Sequence, residues 1–137
     1  MNEDYVSFDL AKKLKEKGYP QYTEKSYFVG DHKKRMCSVG TFLHTHTQNA
    51  THLIAAPTIS QVLKWLREEE KIHIMIAIYS HYPQGNHDWG YEVINLQTHT
   101  CEYFTYEYSS YEDAAIAGIE YVIDNLRIMR SYNKEHG

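Results

Sequence analysis

Apolar residues change their spacing repeatedly along this chain, and each change marks an element. Ile59, Val62, Leu63 and Leu66 recur at i, i+3, i+4 and i+7, while Gln61, Lys64, Arg67 and Glu68 fall elsewhere. That spacing gathers one apolar stripe on a helix. The helix opens after Pro57 with Thr58-Ile59-Ser60-Gln61, where a threonine and the glutamine three residues on form a reciprocal capping box. The period then drops to two. Ile72, Ile74, Ile76 and Ile78 alternate with His73, Met75, Ala77 and Tyr79, which predicts a strand with one strongly apolar side, central in a sheet.

Residues 80–88 combine proline, glycine and asparagine and predict a loose hairpin connection. Residues 89–96 form the second strand, 97–100 a shorter turn, and 101–108 a third strand rich in threonine and aromatics. Meander order is the simplest topology. Ser109 or Ser110 caps the last helix, with Glu112 and Asp113 in its first turn, where the helix dipole favours negative charge. Ala115, Ile119, Val122 and Leu126 make its stripe, with Ile123 alongside. Short helices gain most of their stability by burying a face, so both helices are expected on the isoleucine side. A buried isoleucine contributes roughly 1.5–3 kcal/mol, and Ile76→Asp is expected to unfold the core.

Upstream, residues 7–17 predict a shorter helix: Ser7 caps it, Leu10, Ala11 and Leu14 share a face, Gly18 suits the stop and Pro20 follows. Residues 26–29 and 36–43 predict a hairpin around Gly30-Asp31-His32, and residues 44–56 show neither period and read as a connection. With 137 residues and no internal repeat or low-complexity tract, the chain is the size of one domain. The expected class is α+β. Residues 58–130 form an α-β-β-β-α core, a three-stranded antiparallel sheet with both helices on one face. Residues 1–57 add an N-terminal helix and hairpin, and 131–137 a tail.

Charge is uneven. Residues 58–130 carry five Lys or Arg against eleven Asp or Glu, whereas residues 1–57 carry eight against six. The core is therefore acidic and repels a phosphate backbone, so a nucleic-acid contact falls to Lys33-Lys34-Arg35 or the N-terminal lysines, which read as ordinary solvated charge. No apolar run approaches the roughly 20 residues needed to cross a bilayer, and the amino terminus has no basic segment followed by an apolar one. A protein that is soluble and cytoplasmic, with no membrane contact, is expected. Cys37 and Cys101 are too few for a disulfide framework and read as buried, reduced thiols.

Two resemblances bear on function. The order helix, three antiparallel strands, helix is similar to that of double-stranded-RNA-binding domains, which read shape and phosphates through basic residues, including a lysine-rich start to the second helix. Residues 109–126 contain no Lys or Arg, and Glu112 and Asp113 stand where that pattern requires lysines. The likeness is one of topology, which does not fix function. The second lies in sequence. The string Ala56-Pro57-Thr58-Ile59-Ser60-Gln61-Val62-Leu63-Lys64-Trp65-Leu66-Arg67-Glu68-Glu69, the following Ile-His-Ile strand, and Tyr111-Glu112-Asp113-Ala114-Ala115 leading into Gly118-Ile119-Glu120 resemble a family of small uncharacterised proteins of gut Bacteroidales and their phages. The likeness covers the C-terminal two thirds and the Tyr5-Val6-Ser7 helix start. It implies a phage or prophage accessory protein in a bacterial host cell and brings no catalytic residue with it.

Histidine is the residue type that invites chemistry. His44 and His46 point the same way if extended, His52 is near in sequence, and His81, His87 and Asp88 fall in or beside one loop. Zinc needs three or four ligands held tetrahedrally, and neither paired cysteine spacings nor His-Glu-x-x-His occur. A two-His-x-Thr phosphodiesterase pattern fails, because no histidine has Ser or Thr two residues later. Phosphate-loop, dinucleotide and nucleophile-elbow motifs are missing, and Glu68-Glu69-Glu70 reads as solvated charge. No metal, cofactor or catalytic residue is assigned, although a histidine-dependent metal enzyme stays open as an alternative, beside an RNA-binding-like module.

The thirteen tyrosines point toward binding. Trp89, Tyr91, Tyr103, Tyr106 and Tyr108 fall on the second and third strands, with Tyr111 after them, and tyrosine and tryptophan are enriched at contact surfaces. Strand alternation splits them between faces. Those opposite the helices either form core beneath the N-terminal hairpin or, left uncovered, make a partner site or homodimer interface. The expected role is a noncatalytic protein-binding or accessory protein.

Overall fold

The computed structural model describes residues 4–21, 23–28, 36–38, 53–81 and 86–136. In chain order these form α1 (Phe8–Glu16), β1 (Lys25–Phe28), β2 (Met36–Ser38), β3 (Leu53–Ala55), α2 (Ile59–Glu69), β4 (Ile72–His81), β5 (Asn86–Asn95), β6 (Thr100–Tyr108) and α3 (Tyr111–His136). The chain is α+β, and from α2 to α3 its order is helix, three strands, helix. Two compact units emerge, Met1–Gln61 and Val62–Gly137, and α2 runs across the division.

In the first unit, local signals set both ends of α1. Ser7 Oγ accepts from Leu10 N at 3.3 Å. At the far end Tyr19 N donates to Leu14 O and Gly18 N to Lys15 O, a Schellman motif that needs the left-handed angle Gly18 supplies with φ 93°. Leu10, Ala11 and Leu14 are buried, as their spacing requires. The antiparallel sheet has the order β2-β1-β3. The expected hairpin of β1 and β2 is present, and its turn at Gly30-Asp31-His32 lies outside the described residues. β3 falls within the span expected to be a connection. Three residues are too few to display a period, and what makes them a strand is pairing with β1 and support from side chains. Ala55 N donates to Gln21 Oε1 at 2.9 Å, and Lys15 Nζ donates to Leu53 O at 3.1 Å. The amino-terminal backbone closes the unit through Val6 N to Pro57 O and Ile59 N to Asp4 O. The capping box at α2 is complete: Gln61 N donates to Thr58 Oγ1 at 3.2 Å, and Thr58 N to Gln61 Oε1 at 2.9 Å.

In the second unit, β4, β5 and β6 make an antiparallel meander. β5 is the central strand and β4 an edge, contrary to the central place expected for β4. Four isoleucines on one parity report burial of a face, which says nothing of position in the ladder. The β4–β5 ladder runs from Ile72↔Asn95 to His81↔Asn86, so Ser80, His81, Asn86, His87 and Asp88, expected in the connection, are strand residues. Strand propensity is weak against a long ladder. Residues 82–85 lie outside the described residues.

The next turn is built by Asn95, whose Oδ1 accepts from Gln97 N at 3.0 Å and Thr98 N at 3.3 Å, with His99 at φ 60°. Ser110 caps α3, accepting from Asp113 N at 3.1 Å. That helix continues to His136, so all but the last residue of the expected tail is helical. Its polar end is tied down: Asn95 Nδ2 donates to Asn133 Oδ1 at 2.7 Å, Gln97 Nε2 to Asn133 O at 3.3 Å, and Arg130 pairs with Glu70, just beyond α2.

The last helix, α3, takes the isoleucine side, with Gly118 against Ile74, and α2 buries its stripe. Val62 and Leu66 of α2, and Ala114, Ala115, Ile119, Val122, Ile123 and Leu126 of α3, are fully buried, as are Ile72 and Val93 from the sheet, and Ile74 is buried beside them. Burial along β4 fades, however: Ile76 is half-buried and Ile78 is 49% exposed. An edge strand has a neighbour on one side only, so the far end of its apolar row stays wet. The substitution that strikes the core is therefore Ile74→Asp rather than Ile76→Asp. No helix among the described residues is long and apolar enough to cross a membrane.

Candidate interaction surface

Alternation and register sort the second sheet into two faces. Ile72, Ile74, Ile76 and Ile78 stand opposite Asn95, Val93, Tyr91 and Trp89, and Val93 and Trp89 in turn face Tyr103 and Tyr108. Four of the five aromatic residues picked out by sequence thus lie on the helix side. Tyr91 is 3% exposed. Its ring lies 5.9 Å from Tyr103, 6.0 Å from Tyr108 and 6.3 Å from Tyr121 of α3, and Tyr103 stacks on Tyr121 at 4.2 Å with 11° between planes. Trp89 meets Tyr111 edge-on at 5.8 Å. Burial raises the pKa of Tyr91 well above the usual phenol value, reinforced by Tyr108 and Tyr103 beside it. Burial likewise raises Tyr108, with Glu107 adding to it, and Tyr121. These phenols stay neutral and work as packing groups. Tyr91 is core, packed against Gly118 and Tyr121 of α3.

Tyr106 alone of the five lies on the other face. It shares that face with Met75, Ala77 and Tyr79, the residues that alternate with the isoleucines of β4, and with Glu92 and Phe104. Two bulges, between Trp89 and Gly90 and between Val93 and Ile94, leave Glu107 and Glu102 without an opposite residue and keep the remaining β6 side chains in phase with β5. One row across the strands is Met75, Glu92, Phe104, and the next is Ala77, Gly90, Tyr106. The Tyr106 ring covers Gly90, where a methyl would sit 2.4 Å from Cδ1. Phe104 is 62% exposed, Tyr79 55% and Met75 37%. Tyr79 and Tyr106 approach at 5.9 Å. The Tyr106 phenol is raised by burial first and by the Glu92 charge second. The signal that marked this face was apolar character on both parities of β4.

Chemistry is sparse elsewhere. Among the described residues no three His, Cys, Asp or Glu side chains gather as a metal site would require. His44, His46 and His52 lie outside the described residues, and so do Lys33, Lys34, Arg35 and the side chains of His81, His87 and Cys37. Cys101 is exposed, against the expectation of a buried thiol, because it sits on the edge strand β6 beside a bulge. A shallow cleft of about 270 Å³ near Glu70, Lys71, Arg130 and Lys134 is charged with both signs and open, which is a poor enclosure for catalysis. The first turn of α3 presents Glu112 and Asp113, the wrong sign for phosphate. No protein-family model, curated protein or solved structure matches the chain.

Proposed function

We propose that this chain is a noncatalytic protein-binding module, an accessory protein of the kind phages and prophages encode, and that it meets its partner through the open face of the second sheet. One observation carries the reading: Phe104, Tyr79 and Met75, three large apolar side chains, stand exposed on one face of the sheet while the other face is packed by α3. An antiparallel sheet with one packed face ordinarily turns polar residues to water, and a cluster of exposed apolar side chains marks a contact site. Aromatic residues and methionine are the types enriched at such sites. The phage setting rests on the sequence resemblance alone, which covers the C-terminal two thirds and the Tyr5-Val6-Ser7 helix start.

The test is a double variant, Tyr79→Ser with Phe104→Ser. Both side chains are more than half exposed, so the unfolding midpoint in urea should stay near that of the wild type. Affinity purification from the producing cell should then yield a partner with the wild type and lose it with the variant. Equal recovery from both proteins refutes the surface. Loss of self-association in sedimentation identifies a second copy of the chain as the occupant.

A further inference from the structure

The open face has a charge pattern as well as an apolar one. β4, β5 and β6 contain no lysine or arginine, and of their carboxylates Asp88, opposite Tyr79, and Glu92, opposite Met75, share the parity of the open face. Glu92 stands in the middle of its row, between Met75 on one neighbouring strand and Phe104 on the other. On the next row of the same face Tyr106 covers Gly90. A carboxylate therefore sits within a patch of ring faces and a thioether.

We infer that the partner of this face is a basic segment presenting arginine, an inference that rests on the open face being the contact surface. Side chains directly opposite on neighbouring strands lie about 4.5–5.5 Å apart at Cβ, and a cation is attracted to an aromatic face within about 6 Å of the ring centre. A guanidinium held by Glu92 thus also reaches the Phe104 ring. Arginine meets both demands at once, because its planar fork grips a carboxylate with two hydrogen bonds and its face lies flat on a ring; the compact, strongly hydrated lysine ammonium does neither as well. The sign of the surface argues against the other occupants. Residues 58–130 carry five cationic against eleven anionic side chains, so nucleic acid is repelled and a second copy is opposed by like charge.

The probe is a short fluorescent peptide alternating arginine and alanine, titrated onto the full chain and read by anisotropy, beside the same peptide with lysine in place of arginine. Saturable binding of the arginine peptide is expected, several-fold tighter than the lysine peptide and weakened by salt. Glu92→Gln and Phe104→Ser should each lower affinity about tenfold. Glu112→Gln removes an exposed carboxylate from the first turn of α3, on the other side of the sheet, and should change affinity less than about twofold. Absence of saturable binding, equal affinity for the two peptides, an unchanged Phe104→Ser protein, or a Glu112→Gln loss matching that of Glu92→Gln each overturns the inference. If the cellular partner depends on Tyr79 and Phe104 while the arginine peptide fails, the surface stands and the partner's chemistry is different. If both fail, the surface itself is refuted.

Discussion

Gly118 is in the middle of α3, where glycine costs about 1 kcal/mol relative to alanine. Its place follows from contact. A methyl there would sit 2.8 Å from Ile74 Cγ2 and 3.1 Å from Tyr91 Cγ, and neither neighbour can retreat. Isoleucine is stiff at its branched carbon, and Tyr91 is hemmed in by Tyr103, Tyr108 and Tyr121. Gly118→Ala is therefore expected to lower stability by about 1–2 kcal/mol despite its better helix propensity. Urea denaturation checks this, and a rise in the midpoint would show that the helix does not approach the sheet so closely. Gly90 is constrained more tightly, since a methyl there would meet Thr105 O at 2.2 Å and Tyr106 Cα at 2.6 Å, both of them backbone atoms.

At the scale of elements, local grammar and long-range ties divide the work. The capping box of Thr58 and Gln61, the cap of Ser7 and the Gly18 stop set helix ends through bonds spanning a few residues. The last turns of α3 follow another rule. Beyond Leu126 the apolar stripe gives out, and Asn133 secures the helix to the turn after β5. Asn95 is buried, so Asn133→Ala leaves its amide without that acceptor, at a cost of about 1–3 kcal/mol. The expected outcome is a lower urea midpoint together with faster amide exchange in the final turns of α3. Unchanged exchange there would mean that the helix end is held by something other than this pair.

Across the whole molecule, tyrosine makes stability depend on alkaline pH. Burial raises the pKa of Tyr19 to about 12 and also raises Tyr27, Tyr91, Tyr106, Tyr108 and Tyr121 above the ordinary 10.0. The folded state thus holds these protons more tightly than the unfolded chain. Their stabilisation is fully present below pH 10 and is lost as pH rises through the folded values. Tyr19 alone accounts for about 2–3 kcal/mol lost by pH 12. Urea midpoints should be level up to about pH 9 and fall steeply above about pH 10, with phenolate absorbance appearing in step with unfolding. Full titration of all tyrosines near pH 10 in the folded protein would contradict the burial of these rings.

The sequence by itself determined what is written in neighbouring residues: the period-two comb of β4, the stripes of α2 and α3, the caps at Ser7 and Thr58, and the stop at Gly18. These features depend on steric preferences and hydrogen bonds that span no more than a few positions, so they were legible without coordinates. Tertiary structure decided the rest. That β4 is an edge, that Ile78 stays wet, that β3 pairs with β1 and that α3 runs on through Asn133 all depend on residues distant in the chain. The candidate surface shows the same division. Tyrosine content pointed to the sheet, but alternation alone cannot say which parity a helix will cover, and packing of α3 on Tyr91 and Tyr103 assigned Met75, Glu92, Phe104 and Tyr106 to the open face. A side chain's burial is set by what arrives from elsewhere in the chain, and that is information no local pattern contains.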